Sequence, residues 1–155
     1  MRRRRDVHRA TVGGRLLADR LRPAHTHWTR LRGLLGTRQL EPDEGLWIWP
    51  SNQVHMFGMR YAIDVVFLDD AGRVLRAVHG LRPNRVSPRV RGATSVLELP
   101  AGTLTRVGLA EGARVEIDGA AEPAWASGSP LAQLHHSRPE RPEEDELPRE
   151  NRQRA

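Results

Sequence analysis

Several residue types and patterns are missing from this 155-residue chain, and each absence excludes a class of function. There is no cysteine, which excludes a disulfide, a thiolate metal site and a cysteine nucleophile. No apolar run approaches the ~18 residues that a membrane-spanning helix requires. No G-x-S-x-G, H-E-x-x-H, P-loop or dinucleotide-binding motif occurs, so the enzyme classes that carry those motifs have no support.

Lysine is also absent, so all 25 basic residues are arginine. Arginine suits the recognition of phosphate and carboxylate groups. A preference for GC-rich codons also explains the arginine, together with the abundant alanine, glycine and proline, and we favour this simpler cause. The net charge of +6 comes mostly from residues 1–23. This basic start is not followed by the apolar core of a signal peptide, so we expect a cytoplasmic protein.

The composition divides the chain into three parts. Residues 1–23 are expected to form a basic N-terminal arm, partly disordered, in which Leu16, Leu17 and Leu21 fit either a β-hairpin or a helical turn. Residues 24–118 are expected to form a compact β-rich domain. Residues 119–155 are rich in Pro, Glu and Arg and predict a disordered tail.

Alternating apolar residues predict five or six strands in residues 24–118, at 45–49, 63–68, 73–79, 94–99 and 114–117 among them. Along 63–68, odd-numbered side chains should face one way and even-numbered ones the other. Asp69 to Gly72 predicts a hairpin turn. Short helices are predicted at Trp28 to Leu35 and at Ala101 to Gly108. The fold class is therefore α+β, mainly β: a small curled antiparallel sheet or partly open barrel with two short helices.

Two carboxylates fall within the apolar strands. Asp64 is expected to be buried, so it must be paired, hydrogen-bonded or protonated. We favour a structural role, in which Asp64 accepts backbone N–H groups or pairs with Arg60, over a role as a general base. Glu98 is either the second carboxylate of a site or the partner of an arginine.

Two further groups of residues have chemistry to explain. His55, Met56 and Met59 are of the types that bind Cu(I), but methionines in apolar stretches usually fill the core, so no metal is expected. Arg82, Arg85, Arg89 and Arg91 lie in one predicted loop and are candidates for binding an anion. This loop has no aromatic residue for base stacking, and a solvated basic loop is the simpler interpretation.

The motifs GMR-x-x-IDVVFLD (Gly58 to Asp69) and LELPAG (Leu97 to Gly102) resemble the uncharacterised domain of unknown function 192 family. The resemblance runs from about Trp28 to Ile117. It implies a small β-rich domain of bacteria and archaea, and it implies no particular activity, substrate or cofactor.

The leading functional hypothesis is a domain that binds a small ligand or a partner protein without catalysis or cofactor. Its cleft would contain His55, Met59, Arg60, Asp64 and Glu98, with Arg82, Arg85 and Arg91 at the rim. One alternative is an enzyme that uses Asp64 and Glu98. Another is a nucleic-acid-associated protein that uses the basic arm and the arginine loop.

Overall fold

Seven strands and one short helix make up the fold in a computed structural model, which describes residues 7–24 and 39–118. The elements are β1 (His8–Val12), β2 (Arg15–Ala24), β3 (Glu44–Ile48), β4 (Ile63–Leu68), β5 (Val74–Leu81), β6 (Ser95–Pro100), α1 (Thr103–Val107) and β7 (Val115–Asp118). The predicted fold class, mainly β with a curled sheet, is confirmed. The predicted helix at Trp28 to Leu35 and the predicted tail at 119–155 lie outside the described residues. Within those residues, no helix is long and apolar enough to cross a membrane.

The strands form one sheet in the order β5-β4-β6-β3-β2-β1-β7. Neighbouring strands are antiparallel except β2 and β3, which run parallel from the pair Arg20 and Glu44 to the pair Ala24 and Ile48. A parallel pair needs a long crossover connection, which the chain between Ala24 and Glu44 supplies. The sheet is therefore not wholly antiparallel. Five of its strands, β3 to β7, lie in the part of the chain where five or six were predicted, and β1 and β2 add two more.

The two edges of the sheet meet at one end. A bridge joins Arg73, just before β5, to Arg114, just before β7. Two backbone hydrogen bonds support it: Val74 donates its N–H to Ala113 at 2.8 Å, and Gly112 donates to Val74 at 2.7 Å. The sheet therefore curls into a half-barrel that is closed at this end, as the predicted partly open barrel requires.

Both faces of the sheet are covered by apolar side chains. All seven strands contribute to the inner cluster, and the helix residues Leu104 and Val107 pack into it. The outer cluster lies on β3, β4 and β6 with Ala24 at the end of β2, and residues such as Val54 and Met56 from the connections cover it. Strand β4 lies between the two clusters and is buried along its whole length, which explains its nearly continuous apolar sequence.

Residues 8–24 belong to the sheet and are not a separate arm. Strands β1 and β2 form a hairpin through Gly13 and Gly14, and Leu17 and Leu21 are fully buried in the inner cluster. The compact domain therefore starts near His8, not at residue 24. The two glycines have positive φ angles, as a two-residue hairpin turn requires, so the hairpin has a recognisable signal in the sequence.

The turn between β4 and β5 is as predicted, and it leads to a test. Asp69 accepts hydrogen bonds from the N–H groups of Ala71 and Arg73, and Gly72 has a φ of 77°. A Cβ at Gly72 would lie 2.7 Å from the carbonyl oxygen of Val115. We expect Gly72→Ala to lower the free energy of unfolding by about 2 kcal/mol, because it adds this overlap to the strain of a left-handed residue. Urea denaturation measures the loss.

Gly13→Ala is the matched control for this variant. Gly13 also has a positive φ, of 52°, but a Cβ there meets nothing within 4 Å. It should therefore show the backbone strain without the overlap and lose less stability than Gly72→Ala. Equal losses in the two variants would show that the contact with Val115 is not restrictive.

Candidate binding surface

Asp64 lies on the inner face of β4 and is 1% exposed. Its Oδ1 accepts a hydrogen bond from the N–H of Gly80 in β5 at 2.8 Å, and its Oδ2 accepts one from the N–H of Leu104 in α1 at 2.9 Å. Leu104 lies in the first turn of the helix, where N–H groups have no partner within the helix, and Gly102 at the N-cap provides no side-chain bond. Asp64 therefore caps α1 from a neighbouring strand and fixes the helix against β5.

Glu98 lies on the opposite face of the sheet. In the β4–β6 ladder it is directly opposite Val65, whereas Asp64 is opposite Leu99. Since successive side chains of a strand alternate between the faces, Glu98 shares the outer face with Val65, and Asp64 does not. The predicted cleft that contains both carboxylates therefore does not form, and the two cannot act as an acid–base pair in one pocket.

The carboxyl of Glu98 is buried without a partner among the described residues. It is 6% exposed, and burial raises its pKa to about 7. Arg22 lies in the same row of the sheet, but Leu46 separates the two positions and they form no ion pair. The Nε of Arg22 is itself buried without a hydrogen-bond partner. Glu98 is therefore a buried acid in an apolar layer.

The other predicted site residues meet on a ribbon formed by two connections, residues 51–62 and 82–94. His55 bridges Val86 in antiparallel fashion. The N–H of Met56 donates a hydrogen bond to the carbonyl oxygen of Arg85 at 2.7 Å. The carbonyl oxygen of Met56 accepts a hydrogen bond from the N–H of Asn84 at 2.9 Å. The two segments are far apart in the sequence, and the structure pairs them.

The inner side of this ribbon is anchored on the outer cluster. Val54, Met56 and Ser87 are buried, and Met59 packs against the same cluster. The Oγ of Ser87 accepts the N–H of Val54 at 2.9 Å. The methionines therefore serve as core residues. His55 is exposed on the other side of the ribbon, so His55, Met56 and Met59 do not converge.

The outer side of the ribbon carries an exposed apolar patch, which we call the 55/57/86 patch after His55, Phe57 and Val86. Phe57 is 55% exposed and Val86 is 47% exposed. The rings of His55 and Phe57 stack with their centroids 5.3 Å apart and an interplanar angle of 25°. Exposed large apolar side chains are unremarkable singly, but a group of them on one ribbon indicates a surface for contact.

Five arginines lie in the same two connections as this patch, and we call them the arginine rim: Arg60, Arg82, Arg85, Arg89 and Arg91. All five are exposed, and none forms an ion pair within the described part of the chain. Arg89 donates a hydrogen bond to Gln53 at 3.4 Å. Neither 50–63 nor 71–97 contains an Asp or Glu, so the rim is not neutralised by acids in its own segments.

Residues 8–117 match the family described as Uncharacterized ACR, the domain of unknown function 192. The chain belongs to this family. The match includes β1 and β2 and so begins well before Trp28, where the resemblance of the motifs began. A search of curated protein sequences found no significant match.

Two solved structures are similar to this domain of unknown function 192 protein. A protein of unknown function from Novosphingobium aromaticivorans is 22% identical, with a TM-score of 0.63 over 71% of this chain and 83% of that one. A protein from Sinorhizobium meliloti, described provisionally as a transcription regulator, is 26% identical, with a TM-score of 0.62 over 72% of this chain and 92% of that one. At 22% identity, the similarity to the Novosphingobium aromaticivorans protein shows only that the two proteins share a fold.

Sequence reasoning missed Phe57 and Val86 as surface residues of this family member. A usable signal was present, because Val54 and Met56 alternate with His55 and Phe57 as inward and outward positions of a strand-like segment.

The surface also contains an open groove of about 610 Å³. It is lined by Pro50, Ser51, Asn52, Asp70, Ala93 and Thr94. None of the predicted site residues lines it.

Proposed function

We propose that the domain is a non-enzymatic binding module that holds a polyanionic partner on the 55/57/86 patch and the arginine rim. One observation carries this proposal: five exposed arginines, none of which forms an ion pair with another described residue, lie in the same two paired connections as the exposed side chains of Phe57 and Val86. Arginine forms forked hydrogen bonds to phosphate or carboxylate oxygens, and its charge attracts an anion over a distance.

Three arginines elsewhere in the described sheet are close to a carboxylate, unlike those of the arginine rim. Arg9 pairs with Asp19 at 2.5 Å, Arg20 pairs with Asp43 at 2.7 Å, and Arg76 lies 3.7 Å from Glu111. These pairs neutralise their own surroundings. The arginine rim keeps its positive charge, which supports binding of an anion there.

The two other hypotheses from the sequence have weaker support. An enzyme that uses Asp64 and Glu98 needs the carboxylates in one pocket, but they lie on opposite faces of the sheet. A cleft for a small ligand that combines Asp64 with Arg60 has the difficulty that both Asp64 oxygens already accept backbone N–H groups. The description of the similar Sinorhizobium meliloti protein as a provisional transcription regulator agrees with an anionic partner for this chain.

Elution from heparin with rising salt tests the proposal. In the full chain, Arg85→Ser with Arg89→Ser removes two charges from the rim, and Arg106→Ser with Arg114→Ser removes two from exposed positions elsewhere. We expect the rim variant to elute at clearly lower salt, because fewer counterions are released when it binds. We expect the control variant to elute close to the unmodified protein.

The equal change in net charge makes the comparison decisive. If both double variants elute at the same salt, the arginine rim has no special role and the chain binds heparin only through its overall charge. Circular dichroism of each variant checks that the sheet is intact.

A further inference from the structure

We propose that Phe57 stacks on an unpaired base, so that the polyanion is a single strand of nucleic acid. This inference rests on the proposed function and narrows it to one class of partner. The arginine rim supplies contacts for a sugar–phosphate backbone, and the 55/57/86 patch supplies a surface that other polyanions do not use. Proteins that bind single strands combine a basic groove with aromatic side chains in this way.

The aromatic part of the argument comes from the ring geometry. His55 stacks on Phe57 at an interplanar angle of 25° and a centroid distance of 5.3 Å, and Phe57 remains 55% exposed. A base that stacks on Phe57 would extend this two-ring stack by one member. Every base has a flat π-face, so such stacking tolerates different sequences.

The position of the surface on a fixed ribbon adds to its suitability. The bridge from His55 to Val86 joins the two segments of the ribbon, and the buried side chains of Val54 and Met56 anchor it on the outer cluster. A surface that is already ordered loses less conformational entropy when a partner binds. Phe57 is therefore presented in a fixed place on a ribbon whose two segments also carry the arginine rim.

Other polyanions fit this surface less well. A duplex keeps its bases stacked inside and offers only phosphates to the rim, which leaves the exposed rings without a partner. An acidic peptide would satisfy the charge of the arginines but has no feature that requires a flat ring. The exposed stack of His55 and Phe57 is the observation that favours an unpaired strand.

Fluorescence anisotropy of labelled 12-nucleotide probes tests this inference with the full chain. The probes are a DNA strand, an RNA strand of the same sequence, the matching DNA duplex, and an abasic DNA strand with the same number of phosphates. We expect both base-bearing single strands to bind roughly tenfold more tightly than the abasic strand, as base–aromatic stacking predicts. We expect the duplex to resemble the abasic strand.

Three substitutions at Phe57 separate stacking from apolar contact. Because the side chain is exposed, none of them should disturb the sheet. Phe57→Leu keeps the apolar character and removes the ring, and Phe57→Ala removes both. Both variants should lose most of the preference for base-bearing strands. Phe57→Tyr retains the ring and should retain the preference.

The outcomes distinguish this inference from the proposed function. If the abasic and base-bearing strands bind alike and Phe57→Leu has no effect, the stacking inference is wrong, while a shift in heparin elution for the rim variant keeps the proposed function. If poly-glutamate competes as well as the base-bearing strand, the partner is an acidic protein and the inference is overturned. If no probe binds and the rim variant elutes unchanged, both proposals fail.

Discussion

Replacing Asp64 with Asn is expected to lower the free energy of unfolding by about 3 kcal/mol. An asparagine side chain can accept one of the two hydrogen bonds, but its NH₂ group then faces the backbone N–H of Gly80 or Leu104. That N–H loses its acceptor in a site where Asp64 is 1% exposed, and hydrogen bonds to charged groups contribute about 1.5–3 kcal/mol each. Thermal unfolding should show a fall in Tm on the order of 15 °C for a domain of this size.

Asp70→Asn is the matched control. Asp70 lies in the exposed turn after β4, so the same chemical change there should alter stability by less than about 0.5 kcal/mol. Hydrogen exchange adds a local measurement, because the amides of Gly80 and Leu104 should exchange faster in the Asp64 variant. An Asp64→Asn protein with unchanged Tm would show that the carboxylate does not hold the helix and strand together.

The apolar strands of this domain were largely predictable from local sequence. In β4, alternation assigned Ile63, Val65 and Phe67 to one face and Val66 and Leu68 to the other, and the two clusters contain them in that division. This works because the side-chain period of a strand depends only on the strand itself. The same is true of the turn at Gly72, where one residue determines the backbone shape.

The parallel pairing of β2 with β3 could not be read in the same way. Strand order depends on contacts between segments far apart in sequence, and no local pattern encodes which edges meet. The choice between a β-hairpin and a helical turn for β1 and β2 stayed open for a different reason. Its many arginines dominate the composition, while the leucines at 16, 17 and 21 also fit a helical turn, so burial of Leu17 and Leu21 was not evident.

The candidate site shows the same limit at the level of single residues. Asp64 and Glu98 both belong to buried strands, but the register of β4 against β6 decides whether they share a face, and that register is a property of the folded sheet. Similarly, Phe57 and the arginines at 82–91 are far apart along the chain. The bridge between His55 and Val86 brings them together, and it supplies the aromatic surface that the arginine loop lacks.

The two buried carboxylates therefore have different consequences for the stability of the fold. Two N–H donors compensate Asp64 for the loss of water, whereas the outer cluster offers Glu98 no donor among the described residues. A buried acid without a partner favours its protonated form, because the charged form is poorly solvated in an apolar layer. Asp64 should therefore stabilise the fold, and Glu98 should destabilise it wherever the carboxyl has to ionise.

Glu98 should make the stability of the domain fall as the pH rises from about 4.5 to about 7. Burial raises the pKa of Glu98 from 4.5 to about 7 in the folded protein. Below pH 4.5 the carboxyl is protonated in both states, and its contribution to stability is fully present. As the pH rises, the unfolded chain releases this proton first, so stability decreases until the folded form has also lost it. The difference in pKa corresponds to roughly 3 kcal/mol.

Replacing Glu98 with Gln should therefore stabilise the domain at pH 8 by up to roughly 3 kcal/mol relative to its effect at pH 4. Glutamine is neutral at both pH values, and the cost of burying its amide is the same at each, so the difference between the two pH values isolates the ionisation of Glu98. Urea denaturation of the unmodified protein and of Glu98→Gln at several pH values measures this difference.

Glu116→Gln is the matched control. It changes an exposed carboxyl on β7 and should leave the dependence of stability on pH unchanged. If the profiles of Glu98→Gln and the unmodified protein run parallel from pH 4 to pH 8, Glu98 ionises as easily in the folded protein as in water. The outer face would then have to give that carboxyl access to solvent or to a cation.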